Sequence, residues 1–439
     1  MSDRIALPAV LEERLDNGLE LVLARREGVP LCAVRLLVRA GSALDPANRH
    51  GLAHLVSQAA RRGTARRSGR EVDEEVEGLG AELGAGADED ASYVGLSAPS
   101  EFLPQLLDVV ADVTANPAFP ATELSRIRRR EVAGLAHLLD EPGAVADRAA
   151  VAAVFGKHPY GHPVDGRARH LSACTRADVA GFHRRWFGPR NATLVVVGDL
   201  DPSAARALAR RKLGRWRSPA APPPAQPPVA EPAREVLLVD RPDASQTQVR
   251  VAVPAFQRAS PEYFPGVVAN AVFGGGFTSR LMEAVRVNRG LSYGVRSRFA
   301  ASRSGGFFYM SSFTKNETAA ELVDVLLTEA ARFRDGGPSE EELLRTQSYL
   351  CGLYPLALET HDQVADKLTE LKLYGLEQEE VTHYRERVRA VTPGDCVAVA
   401  RRHFPVERGV VVAVGPAKLL RKPFARFGPV REVSAKSLV

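Results

Sequence analysis

Two histidines four residues apart can share a helix face and hold one metal ion, and His158 and His162 have that spacing. Pro159, Gly161 and Pro163 break any helix there, so the pair reads as part of a structural loop. Gly274, Gly275 and Gly276 could cradle a phosphate, but no Gly-Lys-Ser/Thr follows them. By residue type they read as a loop that needs positive φ. The four cysteines, Cys32, Cys174, Cys351 and Cys396, are far apart and make no C-x-x-C. That argues against a zinc knuckle or a redox pair and predicts buried thiols in a reducing compartment. Arginines cluster at Arg61-Arg62, Arg66-Arg67 and Arg128-Arg129-Arg130, the residue type that contacts nucleic-acid phosphates. Acidic residues are interleaved with them and the net charge is only +5 over 439 residues. The expectation is a solvated basic surface and no nucleic-acid partner.

The elements that carry these residues are legible. The chain is 45% hydrophobic and 25% charged, a globular composition. Its longest apolar stretches are strand-length or interrupted, so no membrane span is expected. The first residues lack an apolar core of signal-peptide length, which makes a cytoplasmic location the default expectation. A proline-rich run from Ser218 to Pro232 lacks backbone donors and resists helix. It reads as a semi-rigid linker over 218–233 that separates residues 1–217 from 234–439. The two halves resemble each other. Thr175 and Thr392, Asp178 and Asp395, Phe187 and Phe404, and Gly198 and Gly415 form four pairs, each 217 positions apart. In each copy the threonine and aspartate predict a capping box, and a helix runs to the aromatic residue. An apolar strand then ends at glycine. Earlier in each half, strands are expected at 19–24 and 32–39, the first after a hairpin-type Asn17-Gly18 turn, and at 235–239 and 247–253. Helices are expected over 101–115, 123–139, 319–334 and 339–359. Strands followed by helices, in two copies, predict an α+β lobe repeated once.

The first half also contains Gly51-Leu52-Ala53-His54-Leu55-Val56-Ser57-Gln58, then Arg62-Gly63-Thr64. This segment resembles the N-terminal lobe of the insulinase-type zinc metallopeptidases, whose signature is H-x-x-E-H on a helix followed shortly by Lys/Arg-Gly-Thr. Further matches, in the same order, are His158-Pro-Tyr-Gly161 with Gly166, and 191–199. In the second half they are 273–281 and 286–295. The resemblance covers most of the chain and is closest to the processing-peptidase type. It implies two homologous lobes, each an antiparallel sheet packed with helices. In that family the two histidines bind zinc and the glutamate activates water. Here His54 matches the first histidine, but Ser57 stands at the glutamate and Gln58 at the second histidine. Serine cannot serve as the base, and glutamine is a poor zinc ligand beside imidazole. Counting back from Asp140-Glu141-Pro142 places Gly134 at the third ligand, with Glu131 one helical turn before it. The resemblance therefore implies no zinc in this chain. His50 falls where no ligand is expected and reads as a surface or loop residue.

The second half keeps what the first lost. In active relatives an arginine and a tyrosine seven residues apart reach the substrate, and Arg286 and Tyr293 match them. Arg289 is a weaker candidate for the same work. The tyrosine suits an oxyanion and the arginine a peptide carbonyl or carboxylate. In relatives, Gly274-Gly275-Gly276 corresponds to a glycine-rich loop that helps admit substrate and often marks a non-catalytic subunit. The pattern implies a non-catalytic subunit of a heterodimeric zinc endopeptidase, inactive alone. Its expected partner is a homologous subunit with intact H-x-x-E-H, which would hold the zinc, and its substrate a peptide or unfolded polypeptide. The alternative is a purely structural or peptide-binding homolog.

Overall fold

The computed structural model describes residues 4–220 and 222–439. The first three residues and Ala221 of the proline-rich run lie outside the described residues. Among the described residues, twelve strands form two six-stranded sheets. The first sheet contains β1 (Val10–Arg14), β2 (Glu20–Arg25), β3 (Leu31–Val38), β4 (Gly84–Ala87), β5 (Ser92–Pro99) and β6 (Ala192–Gly198), in the order β1-β2-β6-β3-β5-β4. The second contains β7 (Glu235–Asp240), β8 (Gln246–Ala255), β9 (Val295–Ala301), β10 (Gly306–Lys315), β11 (Val410–Gly415) and β12 (Val430–Val433), in the order β12-β7-β11-β8-β10-β9. Five strands repeat the same order, β2-β6-β3-β5-β4 in the first sheet and β7-β11-β8-β10-β9 in the second.

Both sheets are mixed rather than purely antiparallel. β2 runs parallel to β6, and β7 runs parallel to β11 and β12. The reason lies in the connection. A parallel neighbour must be reached by a long crossover, and each central strand closes its half after a long helical excursion. Residues 192–198 and 410–415 are wholly buried, as their near-continuous valine runs require of strands covered on both faces. Each is preceded by the expected capped helix. The amides of Asp178 and Asp395 donate to Thr175 Oγ1 and Thr392 Oγ1 at 3.1 and 3.2 Å, and both carboxylates accept in return. Gly18, at φ +93°, makes the β1–β2 turn.

Each half lends a helix to the other half's sheet. Pro142–Phe155 packs Val145, Ala146 and Ala149 against Leu237, Val239, Val412 and Val414 of the second sheet. His361–Tyr374 packs Val364, Ala365 and Leu368 in one core with Val22, Ala33, Val195 and Val197 of the first. Both exchanged helices are tied by equivalent ion pairs. Arg35 of β3 reaches Asp362 and, at 2.7 Å, Asp366. Arg250 of β8 reaches Asp147 at 2.5 Å. Arg35 and Arg250, like Asp147 and Asp362, stand 215 positions apart, so the duplication repeats the tie as well as the elements.

The arginine clusters are a solvated surface only in part: Arg66, Arg129 and Arg130 are exposed, whereas others turn inward. Arg67 bonds Asp112 at 2.8 Å and Glu75 at 2.7 Å, Arg62 bonds Asp73 at 2.6 Å, and Arg128 donates to the Cys174 carbonyl at 2.8 Å. These side chains are spent on internal acceptors. All four cysteines are free and buried. Burial pushes the thiols of Cys32 and Cys174 up to about 11 and that of Cys396 to about 12, which suppresses the reactive thiolate. Among the described residues, no helix is long and apolar enough to cross a membrane.

Candidate functional site

His54 sits on the helix Leu52–Ala60, which has no side-chain cap of its own. Asp45 from the preceding loop supplies one. Its carboxylate accepts from the amides of Gly51 and Ala53 at 2.7 and 2.8 Å. Gly51 has φ +94°, and a Cβ there would lie 2.8 Å from the Cα of Gly166, so glycine is required for both backbone angle and space. Leu52, Leu55, Val56 and Ala59 enter the core, which leaves His54 and Gln58 on the half-exposed face.

The carboxylate of Glu131, on the helix Ala121–Leu138, lies 3.1 Å from His54 Nε2. Its second oxygen accepts from Arg130 at 2.8 Å. Together the His54 contact and Arg130 hold the Glu131 carboxyl down at about 2. Gly134, one turn further on, has no side chain, and a Cβ there would meet nothing within 4 Å. Ser57 is buried and turns its hydroxyl back to the Ala53 carbonyl at 3.0 Å. Gln58 donates to the Ala85 carbonyl of β4 at 2.8 Å. β4 is an edge strand, and beside it lies an open cleft of 640 Å³ lined by Ala85, Tyr93 and the exchanged helix residues Asp362 and Tyr374.

This donor set does not fit catalytic zinc. Such sites need three protein ligands and an open position. Here one imidazole and one carboxylate already satisfy each other, and the side chains at the other two signature positions bond backbone carbonyls. Among the described residues, no group of three or more His, Cys, Asp or Glu is placed to hold a metal.

Arg286 and Tyr293 form a second group. Arg286 lies on a π-helical turn, Glu283–Val287, in which the Asn288 amide reaches the Glu283 carbonyl at 2.9 Å. Such widened turns recur at functional positions. The guanidinium carbon stands 4.4 Å from the centre of the Tyr293 ring and 4.9 Å from that of Phe277. Tyr293 is 78% exposed. Arg289 is not part of this group but pairs with Glu321 at 3.4 Å on the surface. Among the described residues, no hydrogen bond, ion pair or ring contact joins the His54 group to the Arg286 group.

The expected positive φ of the three glycines is corrected. None of Gly274, Gly275 and Gly276 is left-handed. Space is what the first two need. A Cβ on Gly274 would lie 2.4 Å from Ser297 Oγ, and one on Gly275 would lie 2.7 Å from Asn270 Nδ2. Gly276 is open, with its nearest atom at 3.8 Å. Phe277 was not singled out from sequence. The available signal was an aromatic side chain directly after the glycines and before a conspicuous arginine.

His158 and His162 flank a short 3₁₀ turn and face different partners. His158 bonds the Pro227 carbonyl at 2.9 Å, which ties down the proline-rich run. His162 stacks on His50 with ring centres 4.0 Å apart, and His170 meets His50 edge-on at 4.7 Å. His50 is therefore a loop residue, in the turn before the helix, that this packing half-buries. Burial, then His162, His170, Arg167 and Arg169, push it down to about 3.

Two lobes of one α+β pattern, with a helix signature in the first and an arginine–tyrosine pair in the second, define a duplicated peptidase-type architecture. Two family descriptions match: "Insulinase (Peptidase family M16)" over residues 21–166 and "Peptidase M16 inactive domain" over 173–350. The chain belongs to the M16 insulinase family of peptidases. An uncharacterized zinc protease of Mycobacterium tuberculosis is 29% identical over 421 residues, 94% of this chain and 95% of that protein. An uncharacterized zinc protease of Streptomyces coelicolor is 24% identical over 410 residues, 92% of this chain and 89% of the relative. Among solved structures, a peptidase M16 inactive domain from Pseudomonas fluorescens superposes with a TM-score of 0.87 at 28% identity, covering 93% of this chain and 98% of that one. A protease from Helicobacter pylori shares the fold, with a TM-score of 0.86 at 18% identity, covering 94% and 100%.

Proposed function

We propose that this chain is the non-catalytic subunit of a two-chain zinc endopeptidase. A homologous partner with intact H-x-x-E-H would hold the zinc, and this chain would contribute Arg286, Tyr293 and half of the space that encloses the peptide. One contrast carries the reading. The groups at the zinc positions are spent on one another and on backbone carbonyls, whereas the Arg286 guanidinium lies over the exposed Tyr293 ring with no acceptor among the described residues. In this role the Tyr293 hydroxyl donates to the oxygen that gains charge as a peptide carbonyl is attacked. Arg286 donates to a neighbouring backbone carbonyl and fixes the strand's register.

The test is peptide hydrolysis by this chain alone, by a partner alone, and by both together. Activity is expected only from the pair. Tyr293→Phe should assemble normally and lower kcat by about 10²–10³, the cost of one oxyanion donor. A partner fully active alone that never associates with this chain would sink the proposal, and so would unchanged turnover in both Tyr293→Phe and Arg286→Ala complexes. Peptide binding with no cleavage-competent partner would favour the structural or peptide-binding alternative.

A further inference from the structure

Phe277, Val287 and Tyr293 are 75%, 73% and 78% exposed, the three most exposed large apolar side chains among the described residues. All three lie in one short segment around Arg286. A single exposed apolar residue needs no explanation, but three gathered about one cation do. The cation differs from its two neighbouring arginines. Nearby Arg280 pairs with Glu342 at 2.7 Å and Arg289 pairs with Glu321. Among the described residues, the Arg286 guanidinium makes no ion pair or hydrogen bond, only its two ring contacts. Rings take the faces of a guanidinium and leave its edge donors free for an acceptor.

Phe277 stands on a fixed base. The amides of Gly274 and Gly275 both donate to the Asn270 carbonyl, at 2.9 and 2.7 Å. The Ser297 amide donates to the Gly274 carbonyl at 2.9 Å, and Ser297 Oγ donates to the Asn270 side chain at 2.7 Å. The close packing at Gly274 and Gly275 belongs to this anchor. A ring presented from an anchored loop loses little freedom when it binds, which is how preorganised recognition works.

We propose that Phe277 is a further peptide-contacting residue and sets side-chain preference. With Tyr293 it brackets Arg286, so that the guanidinium edge holds a backbone carbonyl of an extended peptide while the rings accept a neighbouring aromatic or large aliphatic side chain. The inference rests on the reading that Arg286 and Tyr293 face peptide.

The test uses the isolated full chain and two fluorescently labelled, amidated, unstructured peptides that differ only in a central Phe or Ala. Wild type should bind the Phe peptide about tenfold more tightly, the scale of one aromatic contact. Phe277→Ala should bring the preference near unity without moving the melting temperature, because the ring is exposed. Phe277→Tyr should keep the preference. Equal binding of both peptides by wild type, binding of neither, or an undiminished preference in Phe277→Ala would overturn the inference. The two proposals fail separately. A chain that shows the preference yet joins no partner retains this inference and loses the subunit reading. A working two-chain enzyme whose Phe277→Ala form discriminates like wild type does the reverse.

Discussion

Gln58→His should convert the His54–Glu131 pair into a zinc site. The pair is nearly spaced for it. Two ligands about 2.0–2.1 Å from a tetrahedral zinc lie ~3.3 Å apart, and His54 Nε2 and Glu131 stand at 3.1 Å. Position 58 lies one turn after His54 on the same face. Its amide oxygen is 3.5 Å from Arg130 Nη2, which bonds Glu131, so an imidazole there would face the same carboxylate. Breaking the His54–Glu131 contact is required whether or not position 58 is histidine, so its cost cancels from the comparison. The gain is one imidazole ligand. Four-ligand zinc-finger sites reach about 10–16 kcal/mol, or ~2.5–4 kcal/mol per ligand, which is an affinity gain of about 10²–10³. Losing the Gln58 donor to Ala85 costs ~1–3 kcal/mol if that carbonyl is left unsatisfied, and it appears as lost stability, not lost metal affinity. The assay is competition with a chromophoric chelator at neutral pH, plus metal analysis after dialysis. Wild type should not retain zinc, Gln58→His should retain one per chain, and adding His54→Ala should abolish the gain. A folded Gln58→His protein with unchanged zinc affinity refutes the geometry. If zinc appears only in Gln58→His/Gly134→Glu and survives Glu131→Gln, the third-ligand position is Gly134 and Glu131 is a bystander.

The exchanged helices give a stability prediction. Asp147→Ala should cost ~3 kcal/mol, because it leaves the buried Arg250 guanidinium without its counter-charge, whereas Arg250→Ala should cost ~1–2 kcal/mol, because the Asp147 left behind is half-exposed and the Gly143 and Ser312 carbonyls each lose one donor. Equal small losses in urea unfolding would show that Arg250 does not hold the helix. The histidine stack predicts acid sensitivity. His50, His162 and His170 are all lowered from 6.5 by burial, so the unfolded chain takes up their protons first. Their contribution is present above about pH 6.5 and is lost as pH falls toward the folded values. His50→Phe should therefore flatten the fall in melting temperature between neutral and mildly acid pH, and parallel wild-type and variant curves would contradict this. In the glycine loop, Gly274→Ala should destabilise by ~1–3 kcal/mol through overpacking while Gly276→Ala stays near neutral. Equal melting temperatures for the two would reject the packing account.

What the sequence made legible follows from the range of each signal. The capping boxes at Thr175 and Thr392, the valine strands that follow them and the four predicted helices are local, set by residues within a turn or two of one another, and they stand close to where expected. The exchange of Pro142–Phe155 and His361–Tyr374 is not local. Nothing in the alternation of either helix says whose sheet it covers, and the tie between Arg35 and Asp362 spans 327 positions. The matching 215-position offsets of Arg35 with Arg250 and Asp147 with Asp362 were present in the sequence, but they gain meaning only once one pair is seen to touch. The glycine loop failed for a related reason. Residue type announces freedom of φ, while a neighbour 2.4 Å from an absent Cβ leaves no trace nearby. The site residues divide in the same way. His54, Ser57 and Gln58 are fixed by one short motif, whereas the third position had to be counted across most of a hundred residues. Glu131 and Gly134 are three apart and share a helix face, so counting alone cannot choose between them. The carboxylate at 3.1 Å from His54 favours Glu131, and the comparison of Glu131→Gln with Gly134→Glu decides between the two positions.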